Sequence, residues 1–519
     1  SYVGTSYLLA STVFLPFFAS IADIYGRHIG LQLSLLLFLF GSAISTGAVN
    51  MTMVLVGRGI AGIGAAGLLT IVRTILSDSS SLDTNNLQQT AMFVLYSIGF
   101  SVGPVAGGFL VTVSFRWVFA INLPSAVIGM ILCFFLLRKR VKGARPAEEL
   151  PYAAKSMTWI ARLTIIDWIG TFLFVLGGIL ILLALNWGPS DKWKTARVIV
   201  SLIIGVVVFV AFVFWESILE HRQRASVIPA LYQVQPMLPL ELFRSYDVCA
   251  LLYGCFVSGI VMFVMFYFVA IFMTVVTGLP PGQAGVQLLY FAPGMGGGSL
   301  LSMRLIKRFR QPIYPLIAGS IVMTVSLGLI QMSMQNNVQG LVDVFMGMAG
   351  FAVGLTGAPL VVQARFLMPD HIAIINALML FFRALGGTAG LAQCSTVMNA
   401  KVNSYIVGQI ESGTISGSDL DILAALYSRG GLASIMSLEG LPPTVQQIIR
   451  DAFRNGVRWS FMSLIPWAGL TVFLFLFLSK IPDGDVQQPD HNEEMRDVED
   501  QMRKPSGSLG ENIATEGQK

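Results

Sequence analysis

The chain has 519 residues, 55% of them hydrophobic and only 12% charged, with a mean hydropathy of +0.72. Soluble domains carry about a quarter of their residues as Asp, Glu, Lys and Arg, so this composition excludes a soluble protein and indicates a polytopic membrane protein. The net charge of +5 comes from particular loops; it reports on topology and gives no sign of a nucleic-acid partner.

Apolar stretches of about twenty residues predict about thirteen spans. They lie near residues 3–22, 29–48, 54–76, 90–112, 118–137, 165–186, 197–216, 247–273, 284–303, 313–334, 340–364, 373–399 and 458–479. The first residue is a serine inside an apolar segment with no visible cleavable signal, so the chain reads as truncated at its start.

The first two spans are joined by Asp23-Ile-Tyr-Gly26-Arg27-His28. Gly26 permits a tight reversal there, and Asp23 and Arg27 are charges that can cap helix ends and bridge bundles in one access state. The third span carries Val56-Gly57-Arg58-Gly59 and then Gly62, Gly64 and Gly67. Arg58, about one turn below the outer edge, either snorkels to the interface or faces a cavity. Arg73, near the inner end of the same span, reads as a snorkelling anchor.

The fourth span contains Tyr96-Ser-Ile-Gly99-Phe-Ser-Val-Gly103-Pro104-Val-Ala-Gly107-Gly108. Glycines at every fourth position strip one helix face, which predicts close packing against another backbone. Pro104 removes a helical hydrogen bond and predicts a bend, making Gly99, Gly103, Pro104, Gly107 and Gly108 a hinge candidate.

A basic linker, Arg138 to Arg162, separates the first five spans from a pair opening with Asp167-Trp168-Ile-Gly170, which looks inserted between two halves. A second linker, about 217–246, is proline-rich. In the later spans Tyr267 and Tyr290 are candidate cavity aromatics, and Arg383 stands ten residues inside its span, near mid-membrane, where a cation should face a cavity or a partner. No carboxylate in a visible span sits at its depth, since Asp167 and Asp343 are near span ends. Arg383 is therefore expected to meet either an acid on the missing first helix or an anionic group of the substrate.

The segment 400–457 contains apolar residues at 445, 448, 449, 452 and 453, one face of a short amphipathic helix predicted to lie on the outer surface. From about 482 the tail is polar, acidic and without apolar periodicity, as expected of disordered chain.

Lys and Arg collect at one set of loops, including Arg27, Arg138, Arg162, Arg222, Lys307, Arg308, Arg310 and Arg365. The positive-inside rule makes these cytoplasmic, with the carboxyl tail inside. Trp117, Trp168, Trp187, Trp193, Trp215 and Trp459 sit at predicted span ends, as an interfacial belt requires.

Taken together, the Asp23–Arg27 loop, the Arg58 run and the Gly99–Gly108 run resemble the loop, fourth-helix and antiporter-helix signatures of the major facilitator superfamily. Arg116-Trp117, Asn122-Leu-Pro124 and Asp167-Trp168-Ile-Gly170 are similar to the fungal fourteen-helix drug/proton antiporters within it. Ala19 and His28 depart from the usual loop pattern, and the family's first helix is not visible.

The resemblance implies an all-α major facilitator fold of two pseudo-symmetric bundles plus two inserted central helices. The corresponding divisions are 1–137, the linker 138–164, the inserted pair 165–216, the linker 217–246, the second bundle 247–480 and the tail 481–519. It implies a proton-coupled exporter of hydrophobic small molecules (drugs, toxins or secondary metabolites), without cofactor or metal. Asp23, Gly26 and Arg27 would gate it, Arg58 and Arg383 would serve coupling or the cavity, and the protein would be a monomer in the plasma or vacuolar membrane. Siderophore or basic amino acid transport and a non-transporting receptor are the alternatives. Gly99-Phe-Ser101-Val-Gly103 matches a hydrolase elbow pattern, but it lies mid-helix and all four histidines fall in loops or the tail, so no catalytic residue is assigned. No phosphate-binding GxxxxGK[ST] loop is present either.

Overall fold

The computed structural model describes residues 2–78, 81–138, 141, 143, 161–191, 193–223, 233–411 and 442–481. The predicted tail, most of the first linker and the centre of the 400–457 segment lie outside the described residues.

Helices account for every predicted span. In chain order they are α1 (Tyr2–Val13), α2 (Leu15–Tyr25), α3 (Arg27–Thr46), α4 (Met51–Ser77), α5 (Leu82–Val113), α6 (Phe115–Ala120), α7 (Asn122–Leu137), α8 (Trp168–Trp187) and α9 (Ala196–Gln223). The second half contains α10 (Tyr246–Ile271), α11 (Pro281–Gln287), α12 (Phe291–Phe309), α13 (Ile313–Gln335), α14 (Gln339–Leu367), α15 (Ile372–Glu411), α16 (Pro443–Met462) and α17 (Ile465–Leu476).

Ten segments of the described residues are long and apolar enough to cross a membrane, or eleven when α1 and α2, bent by 44°, count as one broken span. The other two predicted spans correspond to α5, of 32 residues, and α12, of 19. Large apolar side chains such as Phe40, Phe135, Phe214 and Phe473 are exposed, which a bilayer explains because lipid tails solvate them.

Helices α1–α7 form one bundle and α10–α17 another, with α8 and α9 packed on each other and laid against α1 and α15. Phe174 of α8 touches Phe209 and Phe212 of α9 and Phe381 of α15, so the inserted pair is tied to the second bundle by aromatic contact. The bundles meet along α2–α15, α4–α15, α5–α12 and α5–α14.

Glycine does bring backbones together here, but elsewhere than predicted. A Cβ built on Gly294 or Gly298 of α12 would overlap the backbone of Gly347 or Phe351 on α14, and one on Gly41 or Gly57 would overlap the facing helix in the α3–α4 pair. On α5, by contrast, a Cβ at Gly99, Gly103 or Gly107 meets nothing within 4 Å. At these three positions the close packing expected of that face is not found, and α5 runs as one helix from Leu82 to Val113. The side chains of Pro104 and Gly108 lie outside the described residues.

The predicted amphipathic helix is also corrected. Val445, Ile449, Ala452 and Phe453 do share a buried face, but the helix is the continuation of the last span and packs against α15. Gly456 lets it approach Met398 and Val402, Ser460 Oγ donates to the Cys394 carbonyl at 2.9 Å, and the Lys401 ammonium sits 4.2 Å over the Trp459 ring. Burying the apolar face against α15 removes more area from water than a surface position would. At 40 residues α15 is about 60 Å long, roughly twice the hydrocarbon core of a bilayer.

Candidate functional site

One end of the molecule gathers the basic loops. Gly26 takes a φ of +91°, a left-handed value that favours glycine, and so turns the chain sharply from α2 into α3. The turn sets Arg27 beside Asp23, whose Oδ1 accepts from Arg27 Nη1 at 2.9 Å, and 3.4 Å from Asp78 at the end of α4. Arg27 also donates to the Ala22 carbonyl, and Arg162 donates to the Ile24 carbonyl at 2.9 Å. All of Asp23, Arg27 and Asp78 belong to the first bundle, so this cluster fixes α2, α3 and α4 to one another.

Different residues clasp the two bundles at this basic end. Arg310 pairs with Asp83 at 2.8 Å, Arg365 Nε donates to the Ser77 carbonyl at 2.7 Å, and Asn86 donates to the Met303 carbonyl at 3.1 Å. Asn85 and Gln89 also bond Ser77, so the last carbonyl and hydroxyl of α4 form a hub. Farther in, Ser97 Oγ donates to the Ala292 carbonyl and Phe100 stacks on Phe266 at 5.5 Å. The molecule is thus closed at its basic end.

Within the interface between the bundles two guanidinium groups converge on one aromatic ring. Arg383 Cζ lies 5.6 Å from the centre of Phe93, and Arg73 Cζ lies 5.9 Å from the same centre. Phe93 comes from α5 and Arg73 from α4, whereas Arg383 comes from α15, so the ring is shared across the bundle interface. Close contact holds α15 in place: a Cβ on Gly259 of α10 would strike the Arg383 carbonyl, and one on Gly386 would strike the Phe256 carbonyl.

Arg383 Nη2 donates to Met262 Sδ at 3.2 Å, a weak acceptor. Neither Arg73 nor Arg383 forms a salt bridge among the described residues, and the Nε of each is buried without a hydrogen-bond partner. The Arg73 side chain does not snorkel outward as its position suggested: it is 2% exposed and aimed into the interface. Distance from the span end gave its depth, while the direction of its side chain became visible only with α5 and α15 in place.

Arg58 lies toward the opposite end, its guanidinium 4.0 Å over Tyr7 and 5.5 Å from Phe119. The adjoining face of α4 lines a cavity of about 410 Å³ between α1, α4 and α8, walled by Leu9, Phe14, Leu55, Ile63, Ile179 and Leu183. Tyr267 and Tyr290 are not among its lining residues. Both are about half exposed, Tyr267 resting edge-on against Phe268, and neither is brought to Arg383. The cavity's apolar lining from α8 was missed in sequence because the inserted pair carries no signal of which face meets α1.

Among the described residues no group of His, Cys, Asp and Glu is arranged to hold a metal ion.

Comparison with known proteins agrees with this architecture. A family model described as Major Facilitator Superfamily matches residues 1–190 and 159–391. An Acurin A biosynthesis cluster MFS-type transporter of Aspergillus aculeatus is 29% identical over 485 residues, covering 92% of this chain and 82% of its own length. The Efflux pump dotC of Dothistroma septosporum is 27% identical over 484 residues, covering 92% of this chain and 78% of its own. Among solved structures, the human organic anion transporter MFSD10 superposes with a TM-score of 0.56 at 12% identity, covering 91% of this chain and 83% of that one, which is a likeness of fold.

Proposed function

The chain belongs to the Major Facilitator Superfamily, and on that premise we propose that it exports hydrophobic small molecules in exchange for protons by rocking its two bundles. The observation that carries this reading is the pairing of a closed basic end with an apolar cavity of about 410 Å³ toward the other end. Small-molecule sites run from about 300 to 1,000 Å³ and are mostly apolar, so the cavity suits one drug-sized molecule. The positive-inside rule assigns the basic end to the cytoplasm, and the state described then faces away from it. Relatives named as an efflux pump and as a biosynthesis-cluster transporter support export of secondary metabolites or toxins.

Arg58, which keeps its own proton, is proposed as the fixed charge beside the cavity. Its position over the Tyr7 ring, beside the cavity wall, lets a change in local charge reach the substrate space. The glycine face of α5, open in this state, is available to pack in another. The plasma membrane is the proposed residence and the monomer the proposed unit.

The test is flux in sealed vesicles containing the purified protein, using labelled hydrophobic compounds and an imposed proton gradient. Gradient-driven accumulation that a protonophore abolishes supports the reading. Flux that ignores the gradient removes proton coupling, and binding without flux replaces the transporter by a receptor.

A further inference from the structure

The cluster around Phe93 leaves a charge balance open. Two cations from opposite bundles approach one buried ring, and arginine escapes no unfavourable setting by losing its proton. A cation over an aromatic face is only modestly stabilised, and here two approach the ring of Phe93, which is 1% exposed. They repel each other across the interface at a depth where water does not screen them.

The neighbours offer donors and apolar surface. Thr90 and Tyr96 lie on the Phe93 side of α5, three residues before it and three after, and both hydroxyls are buried without a hydrogen-bond partner. The Phe93 and Tyr96 rings meet edge-on at 5.9 Å. From the second bundle come Met262 and the Cys255 thiol, the latter within electrostatic range of both arginines. The site thus holds two guanidinium forks and two hydroxyl donors set in aromatic and thioether surface.

We propose that Arg73 and Arg383, which both approach the Phe93 ring, bind the anionic head of an amphipathic organic anion, so that the transported class is a lipophilic acid. Guanidinium groups match carboxylate, sulfonate and phosphate oxygens through paired N–H donors, and the hydroxyls of Thr90 and Tyr96 complete the set. The ring and Met262 receive the apolar body. One arginine stands on each bundle, so the anion neutralises a repulsion between bundles when it enters. This inference rests on the transporter reading above and names its substrate class, with the anionic head at a position separate from the cavity lined by α1, α4 and α8.

The probes are 1-naphthalenesulfonate, charged at every working pH, and the neutral 1-naphthalenesulfonamide of nearly the same shape. Binding and vesicle flux of both are measured on the full chain, on Arg383→Gln, on Arg73→Gln and on Arg383→Lys, with sodium chloride as a separate competitor. The expected result is a preference of at least tenfold for the sulfonate, collapsing to about one in each glutamine variant and partly restored by lysine. Equal affinity and equal flux of the two probes in the unaltered chain overturns the anion site while leaving the transporter reading intact. Absence of binding and flux for both overturns the two readings together. Displacement of the sulfonate by chloride in simple competition, with no preference for the organic anion, shows a small inorganic ion site and overturns the lipophilic-acid class. The comparison within the unaltered chain stands even if a variant fails to fold.

Discussion

Two sets of arginines in this molecule are treated in opposite ways. At the basic end Arg27 has Asp23 and Asp78, Arg310 has Asp83, and Arg365 has a helix-terminal carbonyl. At the interface between the bundles Arg73 and Arg383 have a shared ring, a thioether and a buried Nε each without a hydrogen-bond partner. The first set meets its own chain's acceptors and so holds the fold shut. Among the described residues the second meets no carboxylate, and on that contrast the anion site is proposed. Structural pairing and functional vacancy can therefore be separated by asking which cations the protein neutralises itself.

The largest effect that tests this contrast is expected at Arg27. Its side chain and that of Asp23 are 8% and 6% exposed, so Arg27→Gln takes the ion-pair partner from the buried Asp23 carboxylate and should cost about 3–5 kcal/mol. Thermal unfolding of the purified protein reads this directly. An unchanged midpoint would mean that water screens the pair and would erase the distinction.

Arg383→Gln is expected to act with the opposite sign. Removing one of two neighbouring intramembrane cations should stabilise the ligand-free protein by up to about 2.5–3.5 kcal/mol on insertion scales. A loss of stability comparable to that of Arg27→Gln in the same melt would show that Arg383 is a structural partner after all.

Glycine substitutions sharpen the comparison at a smaller scale. Gly259→Ala drives a methyl into the Arg383 carbonyl and should cost about 1–3 kcal/mol, as overpacking does. Gly103→Ala meets nothing within 4 Å and should stabilise α5 by about 0.5–1 kcal/mol through its better helix propensity. If flux nevertheless falls in Gly103→Ala, the open face is used in another access state. Equal flux removes the hinge assignment.

The smallest change is expected from Asp83→Asn. Its pair with Arg310 is 53% and 46% exposed, so the loss should lie near 0.2–1 kcal/mol and shrink further in high salt. A salt-independent loss would place this clasp among the buried pairs.

Span positions, the Gly26 turn and the lone charge at Arg383 were legible because each depends on spacing along one chain. What spacing does not encode is azimuth and partner. Arg73 was read as an outward anchor, but its side chain turns inward, because the ring that receives it comes from α5. The apolar face at 445–453 was read correctly, yet its receiving surface, the extension of α15, looked like loop. The glycines of α5 and those of α12 follow the same rule in sequence; only α12 has a backbone close enough to need it.

The length of α15 has a practical consequence. Arg383 and the residues near Glu411 belong to one uninterrupted rod, and about 40 Å of helix joins them. A rigid tilt of about 10° around the arginine therefore sweeps the far tip through roughly 7 Å over that lever length. A dye or spin label at Gly408 would act as a pointer on a dial, displaying outside the bilayer a motion whose pivot is buried within it.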